Sequence, residues 1–268
     1  ARNMPGMVKT PAPSRKVMQM SNDVMAEIHH DYLFNLVLKG ERDDGRAFDE
    51  FRDISIETGV AGMAEGSALV TLGDTQILVG VKIQPGEPFP DTPDVGVLIT
   101  NTELIPMASP EYEAGPPREG AIEIARVVDR GIRESKAIDL EKLCMIKGEK
   151  VWIIFIDIHV LNNGGNIIDA ASIGSIAALL SATLPAARYD LGEDSPLPVR
   201  DIPIAVTVVE FGGELLIDPS LDEGQIAGTS LTVITNTDGS ISGMQKSGID
   251  SLTVDQVMRA VDMAQTAA

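Results

Sequence analysis

Cysteine is almost absent from these 268 residues, and Cys144 stands alone. A single thiol cannot close an internal disulfide, which excludes a stapled secreted scaffold. Aromatic residues make up 4% of the chain, with one tryptophan. That is too few for a protein built on stacking platforms for bases or sugars. Basic residues are scarce beside acids, 21 Lys and Arg against 40 Asp and Glu, and the formal net charge is −19. Such a chain repels polyanions at long range, which disfavours generic binding to nucleic acid or an anionic membrane. Screening confines exposed charges to roughly 8 Å at physiological salt, so a local basic site must be named residue by residue. Long apolar runs are missing too. The stretch nearest to membrane length, Ile167 to Leu184, is broken by Asp169, Ser172, Gly174, Ser175 and Ser181. It reads as a buried helix of a soluble, cytoplasmic protein.

What remains is an ordinary globular composition, 44% hydrophobic, enough for a sizeable core. Residues 1–21 hold Arg2, Lys9, Arg15 and Lys16, no acid and no apolar signal core, and are expected to form a flexible basic tail. Asn22 to Leu38 has helical character, with Ser21 or Asn22 as cap and Gly40 as stop. The charged turn Arg42-Asp43-Asp44-Gly45-Arg46 follows. Ser67–Leu72 and Thr75–Lys82, joined by Gly73-Asp74, predict a β-hairpin. The Pro-, Asp- and Gly-rich segment from Pro85 to Gly120 reads as one long loop.

Glu119 to Ala137 has helical period, with Ala121, Ile124, Ala125, Val128 and Ile132 on one face. Val151–Leu161 lacks alternation and predicts a central strand covered on both faces. Gly164-Gly165 leads into a small-residue helix from about Ile168 to Thr183, closed by Pro185. Strands are expected at Ile204–Phe211, Glu214–Ile217 and Thr229–Ile234, with a final helix capped by Thr253. Several strands then one helix, repeated three times, gives an α+β fold with mixed sheets packed on helices. The expected organisation is a core over 22–190 and a C-terminal part of the same unit over 191–268.

No nucleophile, nucleotide-binding motif, metal site or cofactor site stands out. Cys144 reads as a core residue. Asp157 and His159 share a strand face, an arrangement that suits half a metal site but lacks a third ligand. His29 and His30 are expected to be solvated. Asp218, Asp222 and Glu223 could hold a divalent cation, although in so acidic a chain a solvated loop is the simpler expectation. The most informative element is the Glu119–Ala137 helix. Arg126, Arg130 and Arg133 fall within a ~60° sector opposite its apolar face. They could clamp successive phosphates, or form a salt-bridged outer face through Glu123–Arg126 and Asp129–Arg133 pairs.

Several ordered motifs resemble the RNase PH-like family. They are Arg42-x-Asp44-Gly45-Arg46, the Ser67…Gly73-Asp74-Thr75 hairpin, Glu123-Ile124-Ala125-Arg126-Val127-Val128-Asp129-Arg130, and Val160-Leu161 leading to Gly164-Gly165. The resemblance runs from about residue 22 to the end. Gly115-Pro116-Pro117, and Gly164-Gly165-Asn166 with Asp169, make it closest to the non-catalytic RNase PH-like subunits of archaeal exosomes. It implies a fold like domain 2 of ribosomal protein S5. It also implies a hetero-hexameric ring with a catalytic RNase PH-like partner, which degrades RNA from its 3′ end using phosphate, together with RNA-binding cap subunits.

Active members of the family carry Gly-Gly-Thr-Arg in their phosphate loop, where this sequence has Gly164-Gly165-Asn166-Ile167, with no cation to offset phosphate charge. Their strand-start carboxylate falls on Gly228, while an upstream acid is matched by Asp222. The resemblance therefore implies no catalytic residue here. It implies RNA contacts by Arg126 and Arg130, with Arg133 next along the stripe. The alternatives are a self-sufficient phosphorolytic exoribonuclease or nucleotidyltransferase, which needs a phosphate-binding Arg, and a simple RNA-binding module.

Overall fold

A computed structural model describes residues 30–268. The basic tail over 1–21, the predicted helix start at Asn22 and His29 lie outside the described residues. A helix, α1, spans residues 30–37. It is followed by β1 (Ile54–Thr58), β2 (Gly66–Leu72), β3 (Thr75–Gly86), β4 (Val97–Leu104), α2 (Glu119–Glu134), β5 (Cys144–Ile146), β6 (Lys150–Asn162) and α3 (Ile167–Leu180). The short strands β7 (Thr183–Leu184) and β8 (Ser195–Pro196) pair with each other. The second half holds β9 (Ile204–Phe211), β10 (Glu214–Ile217), α4 (Leu221–Ile226), β11 (Thr229–Thr235), β12 (Ile241–Gly248) and α5 (Val254–Ala267).

The first sheet runs β1-β2-β3-β6-β4, with β5 added to β6. The β2–β3 hairpin closes as predicted, Leu72 opposite Thr75, because Gly73 takes φ +53°, a conformation nearly free of cost only for glycine. The predicted long loop is corrected. It contains β4, which pairs in parallel with β6 from Val97↔Ile153 to Leu104↔Val160. Its local Pro and Gly content hid a strand specified by a partner some fifty residues away. The two-faced burial expected for β6 is also corrected. Trp152, Ile154, Ile156, Ile158 and Val160 are buried, whereas Ile153, Phe155, Asp157 and His159 are only half-buried. Helices cover one face of this sheet, and among the described residues no layer covers the other.

The second sheet, β10-β9-β11-β12, is antiparallel throughout. Helices α2 and α3 lie between the two sheets. Ile124, Val128 and Ile132 of α2 join the first sheet's core, while Val127 meets Ala205 and Ile234 of the second sheet. Close approach explains the small residues of α3. A Cβ on Gly174 would come within 2.9 Å of Val79. Helix α3 ends at Leu180, earlier than predicted, and the chain enters β7 before Pro185. On the far face of the second sheet, α5 buries Ala260 and Ala264 against Val206, Leu231 and Val233. Its start is the predicted one, where Thr253 and Gln256 form a reciprocal capping box that satisfies two otherwise orphaned backbone donors.

Candidate functional site

The turn joining β6 to α3 sits where the two halves meet. Gly165 adopts φ +96°, and a Cβ there would fall 2.4 Å from the Leu221 nitrogen, so only glycine fits. Arg52 donates to the Gly164 carbonyl (2.7 Å) and the Gly165 carbonyl (3.2 Å), and Thr75 Oγ1 donates to Gly165 as well (2.5 Å). Asn166 follows in the left-handed region, φ 52°, which Asn tolerates better than most side chains. Its Nδ2 is shared between Asp169 Oδ2 (2.8 Å) and Asp218 Oδ1 (2.7 Å). The turn is therefore fixed by the protein's own groups.

The two carboxylates on that amide differ. Asp169 is fully enclosed, and burial pushes its carboxyl up to about 7 despite hydrogen bonds from Thr207 Oγ1 and N and from Asn166. Burial acts on Asp218 too, but the forked pair with Arg52 (2.7 and 2.8 Å) and the Arg46 contact (3.0 Å) hold it below the usual carboxylate range. Opposite charge within contact distance outweighs desolvation at one site and is missing at the other.

A cleft of about 300 Å³ opens beside this turn, walled by Asn166, Ile167, Thr207, Ser230 and Glu123 among others. None of the described residues lining it is basic. Gly228, the position assigned to the family carboxylate, is crowded. A Cβ there would fall 1.7 Å from Asp250 Oδ2, because the Ile249 and Asp250 amides both donate to the Gly228 carbonyl (3.1 Å each).

Helix α2 presents the arginine stripe on its outer side. Arg126 is exposed, and the pairing predicted for it is corrected: Glu123 instead accepts from Ser247 Oγ of β12 (2.6 Å). No hydrogen bond or ion pair engages the Arg126 side chain among the described residues. Arg130 is half-buried, its Nη1 3.3 Å from Gln245 Oε1. Arg133 forms the predicted pair with Asp129 (2.6 Å) and donates to the Leu98 carbonyl (2.5 Å). The stripe thus divides into one free guanidinium, Arg126, one half-buried against Gln245 with no carboxylate among the described residues, Arg130, and one engaged at the helix end, Arg133.

The acidic cluster is the largest correction. Asp218 and Glu223 are not solvated. Glu223 caps α4 with Ser220 and turns inward to a two-pronged pair with Arg42 (2.5 and 2.9 Å), while Asp222 stays exposed. Sequence reading missed this network: the charged turn supplies two of its arginines, Arg42 and Arg46, but their partners Glu223 and Asp218 lie 181 and 172 positions away. Asp157 and His159 share a face as predicted, but each turns to β4, Asp157 to Asn101 Nδ2 (3.3 Å) and His159 to Glu103 (3.3 Å). Among the described residues no three His, Cys, Asp or Glu side chains are grouped to hold a metal. Cys144 is half-buried at the start of β5 rather than in the core. His30 packs on Phe34 and Phe211.

Two family profiles match the chain, the 3′ exoribonuclease family domain 1 over residues 50–185 and domain 2 over residues 201–267. The exosome complex component Rrp42 of Methanocella arvoryzae is 61% identical over 246 residues, covering 92% of this chain and 95% of the relative. Its counterpart in Archaeoglobus fulgidus is 53% identical over 242 residues, covering 89% and 93%. A chain of a solved structure described as the Archaeoglobus fulgidus exosome with RNA bound to the active site superposes with a TM-score of 0.90. It is 52% identical and covers 91% of this chain and 96% of that one. No helix of the described residues is long and apolar enough to cross a membrane. With both domains matched in order and the fold shared throughout, the chain belongs to the 3′ exoribonuclease family of RNase PH-like proteins.

Proposed function

We propose that this chain is a non-catalytic subunit of a phosphorolytic 3′-to-5′ RNA-degrading exosome ring. It contributes RNA contacts and one wall of the active site of a catalytic RNase PH-like partner. The observation that carries the reading is the cleft beside Asn166. Phosphorolysis needs an attacking phosphate held by cationic or backbone donors, and here the Asn166 amide is spent on Asp169 and Asp218. No described lysine or arginine lines the space, and Glu123 adds a negative charge to it.

Arg126 and Arg130 supply the RNA contacts, one guanidinium per phosphate, with Arg133 contributing less because Asp129 and Leu98 already occupy its donors. Residues 22–190 and 191–268 act as one unit, joined through Arg42 and Arg52. The acidic total fits a ring whose positive potential is confined to a channel. Close relatives carry the name of an exosome component, which supports assembly with a catalytic homologue and cap subunits.

The test has two arms. The isolated chain, given single-stranded RNA, phosphate and magnesium, is expected to release no nucleoside diphosphate. Mixed with a homologue that retains Gly-Gly-Thr-Arg, it is expected to form an active species of hexamer size by light scattering. Robust diphosphate release by the contaminant-free chain alone would overturn the non-catalytic reading in favour of a self-sufficient exoribonuclease.

A further inference from the structure

A second cleft, of about 440 Å³, lies between the end of β4 and the segment leading into α2. It adjoins the Asn166 cleft, since Tyr112 on its wall is held by Asn163 on the wall of the other. Thr102 lines it, is 3% exposed, and its Oγ1 has no hydrogen-bond partner. A buried hydroxyl without a partner is unfavourable, so a polar group from outside would relieve a deficit. Glu103, Glu111 and Glu113 also line the cleft, against a single cation, Arg118, which is itself paired with Glu113. Tyr112 contributes its ring, fixed by an Asn163 Nδ2 donor to its hydroxyl (3.0 Å). Leu104, Pro116 and Pro117 make the remaining wall apolar.

An excess of carboxylates, an aromatic ring, an apolar wall and an unpartnered hydroxyl together describe one kind of occupant: Glu113 has Arg118 and Glu103 lies 3.3 Å from His159, while Glu111 adds a further negative charge. We propose that this cleft receives an arginine side chain from a protein partner. A guanidinium has five donors in a planar fork, enough for carboxylate and hydroxyl acceptors together. Its plane stacks on an aromatic ring, and its aliphatic stem suits the apolar wall. A lysine ammonium is a compact point charge that stacks less well. RNA is disfavoured, because its phosphates would approach three carboxylates with no free cation. The inference does not rest on the non-catalytic reading, since it needs neither RNA nor the absence of a phosphate-binding cation.

The probe is the blocked tripeptide acetyl-Gly-Arg-Gly-amide, titrated into the isotope-labelled full chain while the amide resonances of Thr102 and Tyr112 are followed. Saturable shifts at millimolar peptide are expected. The double variant Glu103→Gln, Glu111→Gln should weaken binding about tenfold, and Thr102→Val about threefold, as loss of charged and neutral hydrogen bonds implies. Thermal unfolding alongside verifies that each variant is folded, and the exposed glutamate pair serves if Thr102→Val is not. Equal response to the norleucine or lysine tripeptide would overturn the assignment. So would the absence of any saturable shift, or the same amides shifting with an oligouridylate.

Discussion

Arg42 and Arg52 lie beneath the surface in two-pronged pairs with Glu223 and Asp218, while Arg126 and Arg130 stand on the outside of α2 with no carboxylate of their own. The same side chain serves opposite ends. Desolvated guanidinium groups need full partnership, and once they have it they define how two halves of a chain meet. Arg126, exposed, needs nothing from the fold, and Arg130, half-buried with one donor on Gln245, keeps others for an outside anion. In a chain with 40 acids, keeping two arginines free of carboxylates is itself informative, because most exposed cations here have found one.

The sharpest way to break this contrast is to delete a buried arginine. Arg52→Met leaves Asp218 enclosed without its main partner and takes two donors from the Gly164–Gly165 turn. A loss of about 3–5 kcal/mol in denaturant unfolding is expected. A loss below about 1 kcal/mol would mean that water relieves the site and that the two arginine classes do not differ.

The second prediction separates the two acids on the Asn166 amide by the sign of their pH dependence. The Asp169 carboxyl titrates at about 7 in the folded protein and near 3.9 when unfolded. Between those values the folded state binds the extra proton, so this group's contribution falls as pH rises from roughly 4 to 7, by roughly 2–4 kcal/mol. Asp218 is shifted down, so its contribution is complete above about pH 4 and disappears as pH falls through its lowered folded value. Unfolding free energies across pH 3–8 should lose the first slope in Asp169→Asn and the second in Asp218→Asn. A wild-type curve whose slope is unchanged by Asp169→Asn would show that its carboxyl is not protonated at neutral pH.

The third tests whether glycine at the family carboxylate's position would by itself account for the proposed lack of activity. Gly228→Asp should not revive diphosphate release, because the cleft beside Asn166 still has no cation among its described residues to hold phosphate. The new Cβ meets the carboxylate end of the exposed Asp250 side chain, which must swing aside. A variant that gained activity would show that the missing carboxylate, and not the missing cation, is the deficit.

The smallest effect on stability belongs to the exposed pair. Replacing Arg126 and Arg130 together with Ala should cost at most about 1 kcal/mol, yet reduce the salt slope of single-strand binding by the assembled ring by ~1.4, at ~0.7 per phosphate. RNA affinity across a salt series gives the slope, and an unchanged slope with a lowered melting temperature would return these residues to a structural role.

Local chemistry was legible in the sequence and long-range pairing was not. The β2–β3 hairpin, α2 and the Thr253 cap each carry their signal within a few residues, as alternation, helical period or a capping pair. β1 and β12 do not, because they are edge strands, largely exposed, with little apolar contrast to mark them. β4 hid among prolines and glycines because its partner is β6. The arginine stripe could be placed from spacing, but which of its members was free depended on Ser247 and Leu98, far away in sequence. The Arg42–Glu223 pair spans 181 residues, and no local pattern announces it.

That span also has a meaning in time. A ribosome adding about 5–20 residues per second needs roughly 10–30 s to travel from Arg52 to Asp218, 166 positions later. Throughout that interval the first half exists with its central guanidinium groups hydrated and its β6–α3 turn only partly braced. The seam can close only when the last fifth of the chain emerges. A nascent chain stalled short of residue 218 should therefore remain open to proteases at that turn, however complete its first sheet has become.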